Sequence, residues 1–167
     1  VSLSSDLYFN IGNVQTNVLV EGFYTTLDDV FALRTIGQDA LGNEVLERYN
    51  GSGATVFGGN LEMRAVFSSH FSLQGGMTLQ RSRYKQAEQW SDNPTVPASK
   101  EMFRTPDAYG YFTLNYNPIK PLTLGLTGTF TGPMLMQHYE GSGTDIDVAE
   151  RTKSFADVGF KVAYDFK

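Results

Sequence analysis

From Leu122 to Phe130 the chain alternates strictly, with Leu122, Leu124, Leu126 and Phe130 on one phase and Thr123, Thr127 and Thr129 on the other. Successive side chains of a strand point to opposite faces, whereas a helix repeats every 3.6 residues or so. Period two sustained over this length therefore specifies a strand with one apolar and one polar face. The run before it does the same, setting Phe112, Leu114 and Tyr116 against Tyr111, Thr113 and Asn115. Between them Asn117-Pro118-Ile119-Lys120-Pro121 predicts a tight turn, because proline cannot donate to a central ladder, with Leu114 lying near Leu124 across it. The stretch from Phe103 to His138 is thus built around a long-armed antiparallel hairpin, and the remaining chain extends the same sheet.

Taken in order, Leu7, Phe9 and Ile11 oppose Asp6, Tyr8 and Asn10, and Gly12-Asn13 supplies turn residues. A second strand, Thr16 to Tyr24, carries Val18, Val20 and Tyr24 on its apolar phase and is expected to continue, bent, through Leu33. Gln38 to Asn43 is a loop tip. A return strand then runs to Phe67 with a bulge expected at Gly51-Ser52-Gly53, setting Leu61, Met63, Ala65 and Phe67 against Asn60, Glu62 and Arg64. After a turn at Ser68–His70, Phe71, Leu73, Met77 and Leu79 oppose Ser72, Gln74, Thr78 and Gln80. Lys85–Lys100 and Tyr139–Glu150 form two long polar loops. A last strand sets Val158, Phe160, Val162, Tyr164 and Phe166 against Asp157, Lys161, Ala163 and Asp165. The expected fold is all-β, an antiparallel up-and-down meander of about seven long strands forming one domain over residues 1–167.

An alternating sheet has two physical settings. In a stand-alone soluble sandwich or small barrel that binds a ligand or partner, the apolar face is a core. In a transmembrane β-barrel it meets lipid, and the polar face lines the lumen. Three features favour the barrel. Short connections at Gly12–Gln15, Ser68–His70 and Asn117–Pro121 alternate with long ones. Aromatic residues (Phe9, Phe67, Phe71, Tyr116, Tyr164 and Phe166) gather beside the short ones, as at a membrane interface. The strand arms reach about 10 residues or more, where soluble strands average about 5–6. Glu21, Glu62, Arg64, Asp157 and Lys161 all fall on the polar phase. A lysine or arginine facing mid-membrane lipid would cost about 2–4 kcal/mol.

The runs Glu21–Thr25 (EGFYT), Asn50–Ala54 (NGSGA), Gln80–Tyr84 (QRSRY), Arg104–Asp107 (RTPD), Thr131–Met134 (TGPM) and His138–Gly141 (HYEG), in that order, resemble the C-terminal barrel region of TonB-dependent outer-membrane receptors. The resemblance implies residence in the outer membrane of a Gram-negative bacterium. It further implies a 22-stranded barrel, plugged by an N-terminal domain, that imports a scarce ligand (siderophore, corrinoid, glycan or similar) with energy relayed by TonB. Against that pattern the chain is a fragment: the plug and the TonB-contacting segment would precede it, and two more strands would follow. A seven-strand piece by itself would leave two sheet edges open to self-association.

No catalytic constellation or cofactor motif emerges, and with no cysteine a thiol-based metal site is excluded. A net charge of -5 with a pI near 4.9 gives no basic footprint for nucleic acid. His70 and His138 belong to opposite ends of the meander, which argues against a shared zinc site. Asp145, Asp147 and Glu150 read as a solvated acidic loop, with Ca²⁺ collection as the sharper alternative. Two groups stand out as ligand candidates. Trp90, Tyr84 and Tyr139 would cap a ligand at the outer mouth, or else anchor at the membrane interface. Glu21, Glu62, Arg64, Asp157 and Lys161 would line a ligand path, Glu62 and Arg64 first among them, or else form salt bridges with the lumen wall or plug.

Overall fold

The computed structural model describes residues 1–166, all of whose regular elements are strands. These are β1 (Ser2–Ile11), β2 (Val14–Leu27), β3 (Phe31–Gln38), β4 (Glu44–Asn50), β5 (Ala54–Ser68), β6 (Phe71–Glu88), β7 (Ser99–Glu101), β8 (Ala108–Ile119), β9 (Leu122–Thr131), β10 (Leu135–His138), β11 (Val148–Arg151) and β12 (Phe155–Tyr164). Seven of them form one open antiparallel meander in the order β1-β2-β5-β6-β8-β9-β12, with β7 added beside the far end of β6. Each of the seven is at least 10 residues long, and β6 reaches 18.

The short turns Gly12–Asn13, Ser69–His70 and Lys120–Pro121 all lie at one end of the sheet, and the three long connections lie at the other. The short end carries an aromatic ladder. Phe67 and Phe71 rings are 5.2 Å apart, Phe71 and Tyr116 are 6.5 Å apart, and Tyr164 and Phe166 are 4.9 Å apart.

Pairing registers put the two phases of the sequence onto two faces. One cross-strand row runs Leu7, Val18, Met63, Gly75, Phe112, Gly128, Val158, and the next runs Phe9, Thr16, Ala65, Leu73, Leu114, Leu126, Phe160. The intervening rows hold the polar face: Asp6, Leu19, Glu62, Gly76, Tyr111, Thr129, Asp157, then Tyr8, Asn17, Arg64, Gln74, Thr113, Thr127, Gly159. The apolar face is not a core. Met63 is 43% exposed, Phe130 42% and Phe160 69%, and the buried apolar side chains among the described residues are only Ala54, Ala65 and Val96. No second layer covers this face among the described residues, so the chain is neither a sandwich nor a closed small barrel.

Phe112 lies between two glycines, Gly75 and Gly128, its direct partners on either side. A methyl group on Gly128 would stand 2.2 Å from the Phe112 ring. The glycine is thus the space the ring occupies, with the aromatic side chain shielding the bare backbone.

Several sequence expectations require correction. The second strand does not run on, bent, through Leu33, and Gly51–Gly53 is not a bulge. Instead β2 ends at Leu27 and β5 begins at Ala54, while β3 and β4 form a separate two-stranded sheet. Gly53 marks the junction: its φ is +83°, and a Cβ there would come within 2.5 Å of the Leu27 carbonyl oxygen. Phe103–Asp107 is not part of the hairpin arm, since β8 starts at Ala108. The turn contracts to Lys120–Pro121, with Asn117–Pro118 in a register shift between Tyr116 and Ile119. Leu114 therefore faces Leu126 rather than Leu124, a slip of two residues that leaves every side chain on its expected face. Lastly, the loop expected at Lys85–Lys100 begins later, because β6 continues to Glu88 and Ser99–Glu101 pairs back onto it. Tyr139–Glu150 likewise sheds its end, since Val148–Arg151 pairs with Leu135–His138.

Gly128→Val should destabilise the folded sheet by about 1–3 kcal/mol, the usual cost of overfilling a packed position. Gly22→Val, where nothing lies within 4 Å of an added Cβ, should be near neutral. Urea unfolding measures both, and Phe112→Ala added to Gly128→Val should recover part of the loss.

Candidate ligand-binding site at the long-loop end

On β6 the polar phase continues from Gln74, Thr78 and Gln80 to Tyr84 and Glu88, so both side chains belong to the face that carries Glu62 and Arg64. The chain leaves the strand directly afterwards. Trp90 therefore stands just beyond Glu88, where the loop Gln89–Ala98 folds over the end of the sheet. Gln89 holds that loop by donating from Nε2 to the carbonyls of Ser91 (3.0 Å) and Val96 (3.1 Å). The Trp90 indole N–H donates to the Pro97 carbonyl at 3.1 Å. Its ring meets Phe103 at 5.3 Å and Tyr139 at 6.0 Å, both steeply tilted, with interplanar angles of 59° and 63°. Such edge-to-face geometry is the favoured arrangement of aromatic quadrupoles.

These rings bound a cavity of about 290 Å³ whose lining also includes Phe31, Tyr84, Glu88, Gln89 and Gln137. Tyr84, Trp90 and Tyr139 thus line one cavity, with Trp90 turned onto its neighbours. Phe103, Glu88 and Phe31 were missed. Phe103 reads as part of a hairpin arm and Phe31 as a continuation of β2, whereas Phe31 opens the separate strand β3 and Phe103 precedes β8.

Glu88 is fixed from behind. Its Oε1 accepts from the Ser52 amide (2.9 Å) and the Ser52 hydroxyl (2.7 Å), leaving Oε2 without a protein donor. The same Ser52 hydroxyl accepts from the Gln86 amide at 3.1 Å, which ties the β4–β5 junction to β6. Lys85 pairs with Asp28 across that junction.

The three long connections are joined to one another. The Thr35 hydroxyl on β3 donates to Asp92 at 3.0 Å. Ser91 donates to Asp147 Oδ2, while Asp147 Oδ1 accepts the Glu140 amide at 2.7 Å. Arg151 of β11 grips both carboxylate oxygens of Glu101 on β7, at 2.5 and 2.6 Å. The Ser91 hydroxyl first, and the Glu140 amide second, hold the Asp147 carboxyl below its usual range. This carboxylate is committed to two donors, and the described residues hold no cluster of three metal-ligating side chains.

Glu62 and Arg64 are elsewhere. Glu62 faces Gly76, eight residues along β6 from Tyr84, or about 27 Å at a strand's rise of about 3.4 Å per residue. Neither residue forms an ion pair within the described chain, nor do Glu21, Asp157 or Lys161. Glu21 instead accepts from Asn60 at 2.8 Å, and Asn60 accepts from Thr78 at 2.8 Å. The expected wall salt bridges are therefore absent within this segment, and the aromatic cluster and the mid-sheet charges are two separate features.

The backbone of the whole assembly has counterparts among solved structures. The ferric-catecholate import receptor Fiu from E. coli K12 matches 99% of this chain with a TM-score of 0.60 and 13% identity, over 21% of its own length. The copper transporter OprC matches 99% at 0.58 and 13% identity, over 23% of its length. The siderophore receptor PirA from Acinetobacter baumannii matches 99% at 0.58 and 14% identity, over 25% of its length. The fold is similar to a stretch of the barrels of these TonB-dependent receptors. This chain spans a fifth to a quarter of those structures. No family model and no curated protein matches its sequence.

The Asp147 tie should depend on pH. A carboxyl whose folded pKa is depressed contributes fully above its unfolded value, and the contribution is lost as pH falls through the folded value. A nitroxide at Ala98 should therefore stay immobilised at neutral pH and loosen only below the usual aspartate value of 3.8. With Asp147→Ala the label should be mobile at neutral pH and insensitive to acid, as read from its electron paramagnetic resonance line shape.

Proposed function

We propose that this chain is part of the barrel wall of an outer-membrane TonB-dependent receptor that actively imports a scarce ligand. The observation that carries this reading is the band on the apolar face. On β6 that phase is free of charge from Phe71 through Leu79 and then acquires Arg81, Arg83 and Lys85 toward the long-loop end. Such a stretch suits the roughly 9–11 residues of a membrane-spanning strand, flanked at one end by the Phe67, Phe71 and Tyr116 girdle. An apolar face left open by every element of the chain has lipid as its natural solvent. The polar face then lines the lumen, with Glu62 and Arg64 on the ligand path or against a plug.

In this reading the short turns face the periplasm, and the joined long connections face the exterior. Trp90, Tyr84 and Tyr139 then stand at the outer mouth as ligand-contacting residues. TonB contact belongs to parts of the complete protein other than this barrel wall. The edges β1 and β12 pair with the neighbouring strands of the closed barrel.

Two measurements on the complete protein test this. Leu126→Arg should destabilise the barrel in lipid vesicles by about 2–4 kcal/mol, while Thr127→Arg should cost well under half as much. Equal costs would sink the assignment of faces. On intact cells, a maleimide too bulky to cross the outer membrane should label Ala98→Cys and spare Asn13→Cys. Failure of the complete protein to bind the periplasmic domain of TonB would remove active import from the reading while leaving the barrel intact.

A further inference from the structure

We infer that the cavity beside Trp90 receives an organic cation, an alkylammonium head group, and not an anionic metal complex. The inference deepens the import reading above and rests on it for the cavity's place at the ligand-facing mouth. Three features of the cavity point this way.

The first is electrostatic. Phe31, Tyr84, Trp90, Phe103 and Tyr139 surround the space, and no lysine or arginine lines it. An aromatic face presents the negative part of a quadrupole, so converging rings attract a cation and give nothing to an anion. Trp90 meets Phe103 and Tyr139 at 59° and 63°, so the rings that line the space are inclined to one another instead of forming a flat platform. The same chain already uses this chemistry on the adjoining hairpin. The Arg48 guanidinium lies 5.9 Å over Phe31, and that of Arg34 lies 5.1 Å over Tyr49 while also pairing with Glu47 at 2.6 Å.

The second is the carboxylate. Glu88 is held by two bonds from Ser52 to one of its oxygens, and the other has no donor from the protein. An anion entering the cavity would meet this fixed charge without a compensating cation on the wall. A cation would meet the one full opposite charge there, already oriented. Gln137 and the Tyr84 and Tyr139 hydroxyls add neutral groups for whatever the head group is attached to.

The third is size. At about 290 Å³ the space falls at the small end of pockets, which span roughly 300–1,000 Å³ for drug-sized ligands. It has room for a trimethylammonium or lysine-like head group.

Calorimetry on the complete protein in detergent tests the inference. The probes are choline, its neutral carbon isostere 3,3-dimethylbutan-1-ol, the lysine derivative Nα-acetyl-lysine methylamide, and iron complexed by catechol. Choline or the lysine derivative should bind saturably, and the tighter of the two identifies a small amine or a peptide side chain as the source. The isostere should bind at least tenfold more weakly than choline, and the iron complex should not compete. Glu88→Gln should weaken the cation about tenfold, and Trp90→Ala should weaken it further, with heat-modifiable gel mobility confirming a folded barrel. If Trp90→Ala fails that control, Glu88→Gln and the isostere decide alone. Binding of neither cation below about 10 mM, equal binding of choline and its isostere, or competition by the iron complex would overturn the inference. Loss of TonB binding with cation binding intact would count against active import and leave the cavity's chemistry standing.

Discussion

The structure depends on an unbroken antiparallel backbone ladder held in even register. Inside hydrocarbon, an unpaired backbone N–H or C=O has no water to turn to and costs several kcal/mol, so a spanning sheet must satisfy its groups strand to strand. Six consecutive pairings do this here, from β1 to β12. Each must also keep apolar residues opposite apolar residues. A one-residue slip in any pairing would invert every strand beyond it. The irregularities that occur, between Val66 and Ser68 and between Tyr116 and Ile119, sit beside the short turns, where a change in register is absorbed before the apolar rows begin.

Because the sheet is a single layer, its stability has an unusual source. Almost no side chain is fully buried by protein, so apolar association inside the chain cannot be what holds it. In the proposed setting the lipid supplies the apolar surroundings, and the protein contributes hydrogen bonding plus cross-strand packing such as Phe112 between Gly75 and Gly128. The same economy explains why the two edges matter. Ten-residue strands at β1 and β12 each leave one row of backbone groups unpaired, the rows that neighbouring strands take up in the proposed barrel.

The long-loop end obeys different rules. It is wet, so it can keep carboxylates, amides and hydroxyls, and these join elements that the meander alone would leave apart. Exposed ion pairs such as Lys85 with Asp28 are each worth at most about 1 kcal/mol. Their effect here is positional: with Ser91–Asp147 and Thr35–Asp92 they bring β3, the Gln89–Ala98 loop and the β10–β11 hairpin around Trp90.

What the sequence determined by itself is the phase of each strand. Side-chain alternation is a local property of the backbone, so Leu124 and Leu126 part from Thr123 and Thr127 whatever lies next to them. Strand existence, the ends that carry short turns and the charge-free face all follow from that parity, which is why a two-residue error in the Leu114 register did no harm. Tertiary structure alone decided where strands stop belonging to the same sheet. Phe31–Gln38 reads as a continuation of β2, yet it leaves at Asp28 because Glu44–Asn50 offers it a separate partner, a choice made by pairing and not by pattern. It also decided the site. Phe31, Glu88, Trp90, Phe103 and Tyr139 are scattered over more than a hundred residues and share no spacing rule. They converge only because the meander returns three long connections to the same end.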